Sequence, residues 1–370
     1  MKRLATFLML MVVVLAPLQA LPVPGAITAA DAVIVADVTA GSFSGTQYNI
    51  TLTVRRSLQG PLTVGSSVQV VFIANDKPTR AGVITKEQGL FFLKNTQPAW
   101  TIISIDSNGL GLSSTYFPIS GAGPVMSAAS VTSTPSVQNL VIQELAAAAV
   151  STKDPAYAFR FVSSFSANSS PAALQILQQW AAMPVSALHA YGLAGLIAAG
   201  NSNAVQQLAA ELPQISKLPY AAQVGSSLHA FHNSDPLADK AIGLIATTAG
   251  TPIEVQNAAI WSLSNSHSKY TLPFLYTLLR SSDPLTRSLA VGGFSAFVTN
   301  MRVPTGELDS VEALDAVLNP GRSQTSTSNF DTPATRNFVH FGPFQDPQVE
   351  QAAITFWTSW FNQNRVALGQ

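Results

Sequence analysis

The sequence predicts a chain of two folded parts, a small antiparallel β-barrel or β-sandwich followed by an α-solenoid of stacked helix pairs. Three observations lead there. The length of 370 residues exceeds one ordinary core. Short runs rich in Val, Ile, Thr and Phe, separated by Gly, Pro, Asn and Asp clusters, occupy residues 30–105. Beyond them, Asn-Ser pairs at Asn168-Ser169, Asn201-Ser202, Asn233-Ser234 and Asn265-Ser266 recur at a nearly constant step, and a fixed period of that size marks a helical repeat array.

The chain opens with Lys2 and Arg3 ahead of an apolar run from Leu4 to Leu15, then Pro17 and the small residue Ala20. This pattern predicts a cleaved secretory signal over residues 1–20 and a protein secreted or held in a periplasm. No later segment is long and apolar enough to cross a bilayer, so no stable membrane insertion is expected after cleavage. The chain has no cysteine, so packing rather than disulfides must hold it. Lys plus Arg equals Asp plus Glu at 19 each, which gives no global field to draw it to nucleic acid.

The β domain is expected over 27–120. Its strands read as 30–38, 48–58, 67–73, 89–94 and 100–105, with a turn at Gln59-Gly60-Pro61. From Tyr48 to Val54 the residues alternate. Tyr48, Ile50, Leu52 and Val54 share one face, and Asn49, Thr51 and Thr53 the other, so one face packs while its opposite meets water. A linker at 121–135, dominated by Ser, Thr, Gly, Ala and Pro, carries no apolar period.

Helical repeats are expected over 136–366, with an irregular insertion at 304–346. The helix 137–150 begins the region and is read as its cap. Pro155, Pro184, Pro219, Pro252, Pro284 and Pro347 each precede an apolar run, because a fixed φ and a missing N–H suit the first helical turn. Second helices are expected at 172–180, 204–212, 237–246 and 271–279. Asp154, Asp283 and Asp346 stand as N-caps. The stretches 255–263 and 349–357 match at Val, Ala, Ala and Ile, so Ala258, Ala259, Ala352 and Ala353 are expected to allow close helix approach beside Ile260 and Ile354. Within the insertion, 309–318 reads as a capped helix and 322–329 as a polar surface loop.

Two resemblances follow from these residues. The segment Asp283-Pro284-Leu285-Thr286-Arg287 with Leu289-Ala290 resembles HEAT repeats of secreted bacterial proteins, which implies a curved interaction surface and a ladder of stacked Asp and Arg side chains, incomplete here because the other copies lack the arginine. Residues Ala30–Val35 with Val38, Val54–Gly60 and Gly89–Leu93 resemble small OB-like barrels of the netrin-like type. The N-terminal cysteine on which protease inhibition in that family depends is absent.

The chemistry is sparse. The sequence holds no Gly-x-Ser-x-Gly elbow, His-Glu-x-x-His or Walker loop, and no cofactor or metal is expected. His229 and His232, three apart, lack a third ligand at a matching spacing, and Glu312 with Asp315 read as capping and solvation. Trp357 and Trp360 read as core. The insertion is read as a plug over the array or as a binding lip. In the second case Phe338, Phe341 and Phe344 are anchors and Arg336 and His340 polar contacts, since aromatics and Arg supply most interface energy. The expected function is an exported non-enzymatic scaffold engaging a protein or peptide. The alternative is an enzyme or enzyme accessory acting on an extracellular polymer.

Overall fold

Alternation of apolar and polar residues makes strands, and five of these close into a barrel. They are β1 (Ala32–Ser44), β2 (Gln47–Gln59), β3 (Ser67–Ile73), β4 (Gln88–Asn95) and β5 (Trp100–Ile102). The order β1-β2-β3-β5-β4 returns to β1 through a second antiparallel pairing, Ile34 opposite Phe91. The expectation of a wholly antiparallel sheet is corrected at one seam. Strands β3 and β5 run parallel, Val70 beside Trp100, because strand direction cannot alternate all the way round a ring with an odd number of members. Three register shifts along β1 add the coiling that closure demands.

Ile50, Leu52 and Val54 are fully buried, and they meet Ile34, Ala36, Val38, Phe91 and Leu93 in the barrel core. At the expected turn, Gly60 has φ +90, and a Cβ there would stand 2.2 Å from the Asp31 carbonyl oxygen. Only glycine fits. Short strands β6 (Ile105–Asp106) and β7 (Ser113–Ser114) pair with each other, and β8 (Phe117–Pro118) adds to β4.

The computed structural model describes residues 23–44, 47–73, 88–97, 99–106, 113–114, 117–119, 136–152, 155–165, 170–231, 235–300 and 329–370. The expected signal segment, the linker at 121–135, Asp154, the Asn-Ser pairs at 168 and 233, His232 and the helix at 309–318 lie outside them. No described helix is long and apolar enough to cross a membrane.

The described chain divides into two compact units. One runs to Phe165 and includes Ser170–Ala173, and the other runs from Leu174 to Gln370. The first holds the barrel with α1 (Val23–Ala29), α2 (Val137–Thr152) and α3 (Pro155–Phe165). Helix α2 thus groups with the barrel. Its buried Glu144 accepts Arg56 Nε and Nη2 of β2 at 2.6 Å each, a two-pronged match that carboxylate and guanidinium geometry favours.

The second unit contains most of α4 (Pro171–Ala181), then α5 (Ala187–Ala198), α6 (Ser202–Ile215), α7 (Ala221–Ser226), α8 (Pro236–Thr247), α9 (Ile253–Asn265), α10 (Leu272–Leu278), α11 (Pro284–Thr299), α12 (Pro333–Arg336) and α13 (Pro347–Asn364). Helix starts follow local chemistry. Pro284 and Pro347 occupy first positions, capped by Asp283 and Asp346, whose carboxylates accept from Thr286 N and Gln348 N at 2.8 Å. Asn201 caps α6. The rule fails at Pro184 and Pro219. Ser186 caps α5 two residues after Pro184, and α7 follows Tyr220. Pro252 is itself the N-cap of α9.

Ala258, Ala259 and Ile260 are buried as expected, and Ala353 likewise. Ala352 is exposed, because α13 has no later helix to cover that side among the described residues. Arg287 ties α11 to α13. Its Nε donates to Glu350 Oε1 at 2.7 Å and its Nη1 to the Ser281 and Ser282 carbonyls at 3.0 Å. Trp357 and Trp360 are buried against Phe294, the former stacked at 5.6 Å.

Candidate functional site

A cavity of about 260 Å³ in the helical unit is lined from four elements. Helix α9 contributes Glu254, Asn257, Ala258 and Trp261, a set spaced at three and four residues and therefore on one helical face. Helix α11 contributes Leu285, Ser288 and Leu289 by the same rule. Gly342-Pro343 of the insertion and His229, from the 3-10 turn Ser227–Ala230, complete it.

Two polar atoms of the α9 face are buried without a hydrogen-bond partner, Asn257 Oδ1 and Trp261 Nε1. A buried amide oxygen or indole N–H left unpaired costs roughly 1–3 kcal/mol, so each such atom calls for an explanation. They stand four residues apart on the same helix, one an acceptor and the other a donor.

The electrostatics are simple. His229 is exposed, with its ring tilted by 47° against Trp261 at a centroid distance of 5.0 Å, and desolvation holds its pKa below the usual imidazole value. Glu254 is the remaining ionisable group in the lining, and it forms no ion pair among the described residues. The rest of the wall is mainly apolar, and Leu285 is 47 % exposed at the mouth.

The residues expected to form a binding lip serve other contacts. Arg336 at the end of α12 donates to both oxygens of Asp331, at 2.7 and 3.0 Å. Phe338 stacks on Phe356 at 4.1 Å, and its carbonyl accepts from Trp357 Nε1. His340 stacks on Phe344 at 3.9 Å while its backbone N–H donates to Ser295 Oγ at 3.0 Å. Burial lowers the His340 pKa despite nearby carbonyls of Gly342 and Pro343. Phe341 is buried with Val339 against Ala296 and Leu289. Phe338, Phe341 and the His340 backbone fasten the insertion to α11 and α13, while Arg336 and the His340–Phe344 stack brace it internally, and Gly342-Pro343 stands at the cavity wall.

The spacing of Asn257 and Trp261 on one helical face is legible in the sequence. Their missing partners are not, since partners depend on what packs opposite. A second cleft of about 410 Å³ lies between α12 and α13 beside Phe330 and Trp360, and an open groove of about 350 Å³ lies on the barrel beside Leu62 and Trp100. Neither holds a buried unpartnered polar side-chain atom among the described residues.

The chain matches no protein-family model, and no curated protein and no solved structure shows significant similarity to it.

Proposed function

We propose that this chain is an exported, non-enzymatic scaffold whose HEAT-like helical repeats engage a protein or peptide partner, with an OB-like or netrin-like barrel as a second module. The observation that carries this reading is the mainly apolar cavity between α9 and α11, edged by a few polar side chains, Glu254, Asn257, Ser288 and His229. Such a combination fixes the orientation of a bound group without activating it. The repeat reading draws support from α9 and α11, which open at Pro252 and Pro284 and pack directly, with Ser264 Oγ donating to the Leu289 carbonyl at 2.8 Å. The barrel reading draws support from the closed five-strand order and its parallel β3–β5 seam.

The test is a pull-down from the envelope fraction of the source cell with wild type and Leu285→Arg. Leu285 is half exposed at the mouth of the cavity, so the substitution adds charge there without removing core. Retention of a specific partner is expected to fall at least about tenfold in the variant, since an unpaired charge disfavours an apolar contact. Equal retention of every partner by the two proteins contradicts the reading.

A further inference from the structure

The cavity between α9 and α11 is edged by a single carboxylate, Glu254, and no Lys or Arg joins its lining. Glu254 is exposed and forms no ion pair among the described residues. Arg287, two residues beyond Leu285 on α11, is already engaged by Glu350 and by the Ser281 and Ser282 carbonyls. The Glu254 charge is therefore left for a cation from outside, and it disfavours an acidic ligand.

The rest of the wall suits a cation carried on an apolar stem. Trp261 and His229 both line the cavity, with ring centroids 5.0 Å apart and planes tilted by 47°. An aromatic face attracts a cation through its quadrupole, most strongly at tryptophan. Desolvation lowers the pKa of His229, which disfavours a competing positive charge on that ring. Ala258, Leu285, Leu289 and Pro343 supply apolar contact. The volume of about 260 Å³ falls below the roughly 300–1,000 Å³ of pockets that enclose a whole small ligand, and it suits one large side chain. Arginine matches these features together. Its methylene stem covers apolar surface while its planar guanidinium stacks on rings and pairs with a carboxylate. Being more weakly hydrated than the lysine ammonium, it also leaves water more readily.

We infer that the cavity receives an arginine side chain of the partner, with its guanidinium paired to Glu254 and set against Trp261 and His229, and its stem against Leu285 and Leu289. This rests on the reading of the chain as a scaffold that engages a protein or peptide, and it names the anchor residue of that partner.

The test is a titration of the full chain, carrying nitrogen-15 in its tryptophans, with acetyl-arginine N-methylamide. Of the five tryptophan indole signals, the one missing from Trp261→Phe belongs to Trp261, and that signal is expected to shift saturably. Acetyl-citrulline N-methylamide, the same shape without the charge, is expected to bind about fivefold more weakly, having lost both the ion pair and the ring contact. Glu254→Gln, at an exposed position, is expected to weaken the arginine probe about threefold and to remove its salt dependence. In Trp261→Phe, followed by calorimetry, binding is expected to fall about twofold to threefold, since phenylalanine is the weaker face. That variant breaks no hydrogen bond, because Trp261 Nε1 has no partner. Equal affinity for the citrulline or the lysine analogue overturns the inference, as does full affinity in Glu254→Gln or a shift confined to other tryptophans. Free arginine bound more tightly than the blocked form points to a free amino acid rather than a side chain, and overturns it too. A pull-down partner that depends on Leu285 while the arginine probe fails to bind sinks the arginine anchor and leaves the scaffold reading standing. Saturable binding of the probe with no partner retained in the pull-down does the reverse.

Discussion

Asp239→Asn is expected to stabilise the helical unit above pH 6, with a gain approaching 3 kcal/mol at pH 8 and none at pH 4. Asp239 lies on α8 and is 1 % exposed, and its Oδ2 has no hydrogen-bond partner. Burial drives its pKa up to about 6, with the charge of Asp235 adding to the rise and a hydrogen bond from Ser268 only partly opposing it. In the unfolded chain the same carboxyl ionises near its ordinary value of 3.8. Between these two values the folded state holds a proton that the unfolded state has released, so stability falls as pH rises through that window. The full penalty is present above about pH 6 and corresponds to roughly 3 kcal/mol. The asparagine carries no charge and escapes it. Urea unfolding of both proteins at pH 4 and pH 8 checks this. A wild type that equals or exceeds the variant at pH 8 contradicts the assignment.

Gly192→Ala is expected to destabilise the helical unit by about 2–3 kcal/mol, although alanine is the better helix former. Gly192 and Gly195 lie one turn apart on α5, and both press on α4. A Cβ at 192 would stand 2.6 Å from the Ala181 backbone nitrogen and 2.9 Å from the Leu177 carbonyl oxygen. Backbone cannot step aside, so the two helices must separate, at a cost of several kcal/mol that outweighs the propensity gain of about 1 kcal/mol. At 195 the nearest atoms are the tips of the Leu177 side chain, at 2.6 and 2.8 Å, which can rotate away. Gly195→Ala is therefore expected to be near neutral. Thermal melts of the two variants rank them, and a Gly192→Ala protein as stable as wild type contradicts the close packing of α4 on α5.

Both effects lie beyond what a single sequence displays. Glycine spacing on α5 is visible, but the approach of the Ala181 backbone belongs to the partner helix. Asp239 sits in a stretch that reads as an ordinary amphipathic helix, and its burial follows from neighbours distant in sequence. What was legible was local. Alternation from Ile50 to Val54 located the barrel face, and prolines with Asn or Asp caps located most helix starts. The misreadings have local causes too. Ser186, a better cap than the nearby Pro184, sets the start of α5. Strands β7 and β8 are two residues each, too short for any period to show. In the insertion, the clustered phenylalanines and Arg336 signal binding by composition, yet Phe338 and Phe341 pack it onto α13 and α11, and Phe344 and Arg336 are engaged within it by His340 and Asp331. The segment's contribution to the cavity is the inconspicuous Gly342-Pro343.

Site-specific photo-crosslinking tests the central claim most directly. A benzoylphenylalanine placed at Leu285 lies at the cavity mouth, and the same probe at Val366, 85 % exposed on the same unit but outside the lining, serves as its control. Exposed to the envelope fraction, the Leu285 probe is predicted to yield a discrete adduct that Trp261→Phe weakens and the Val366 probe does not form. No adduct at Leu285, or an equal one at Val366, would contradict the account of this cavity as the place where the chain holds its partner.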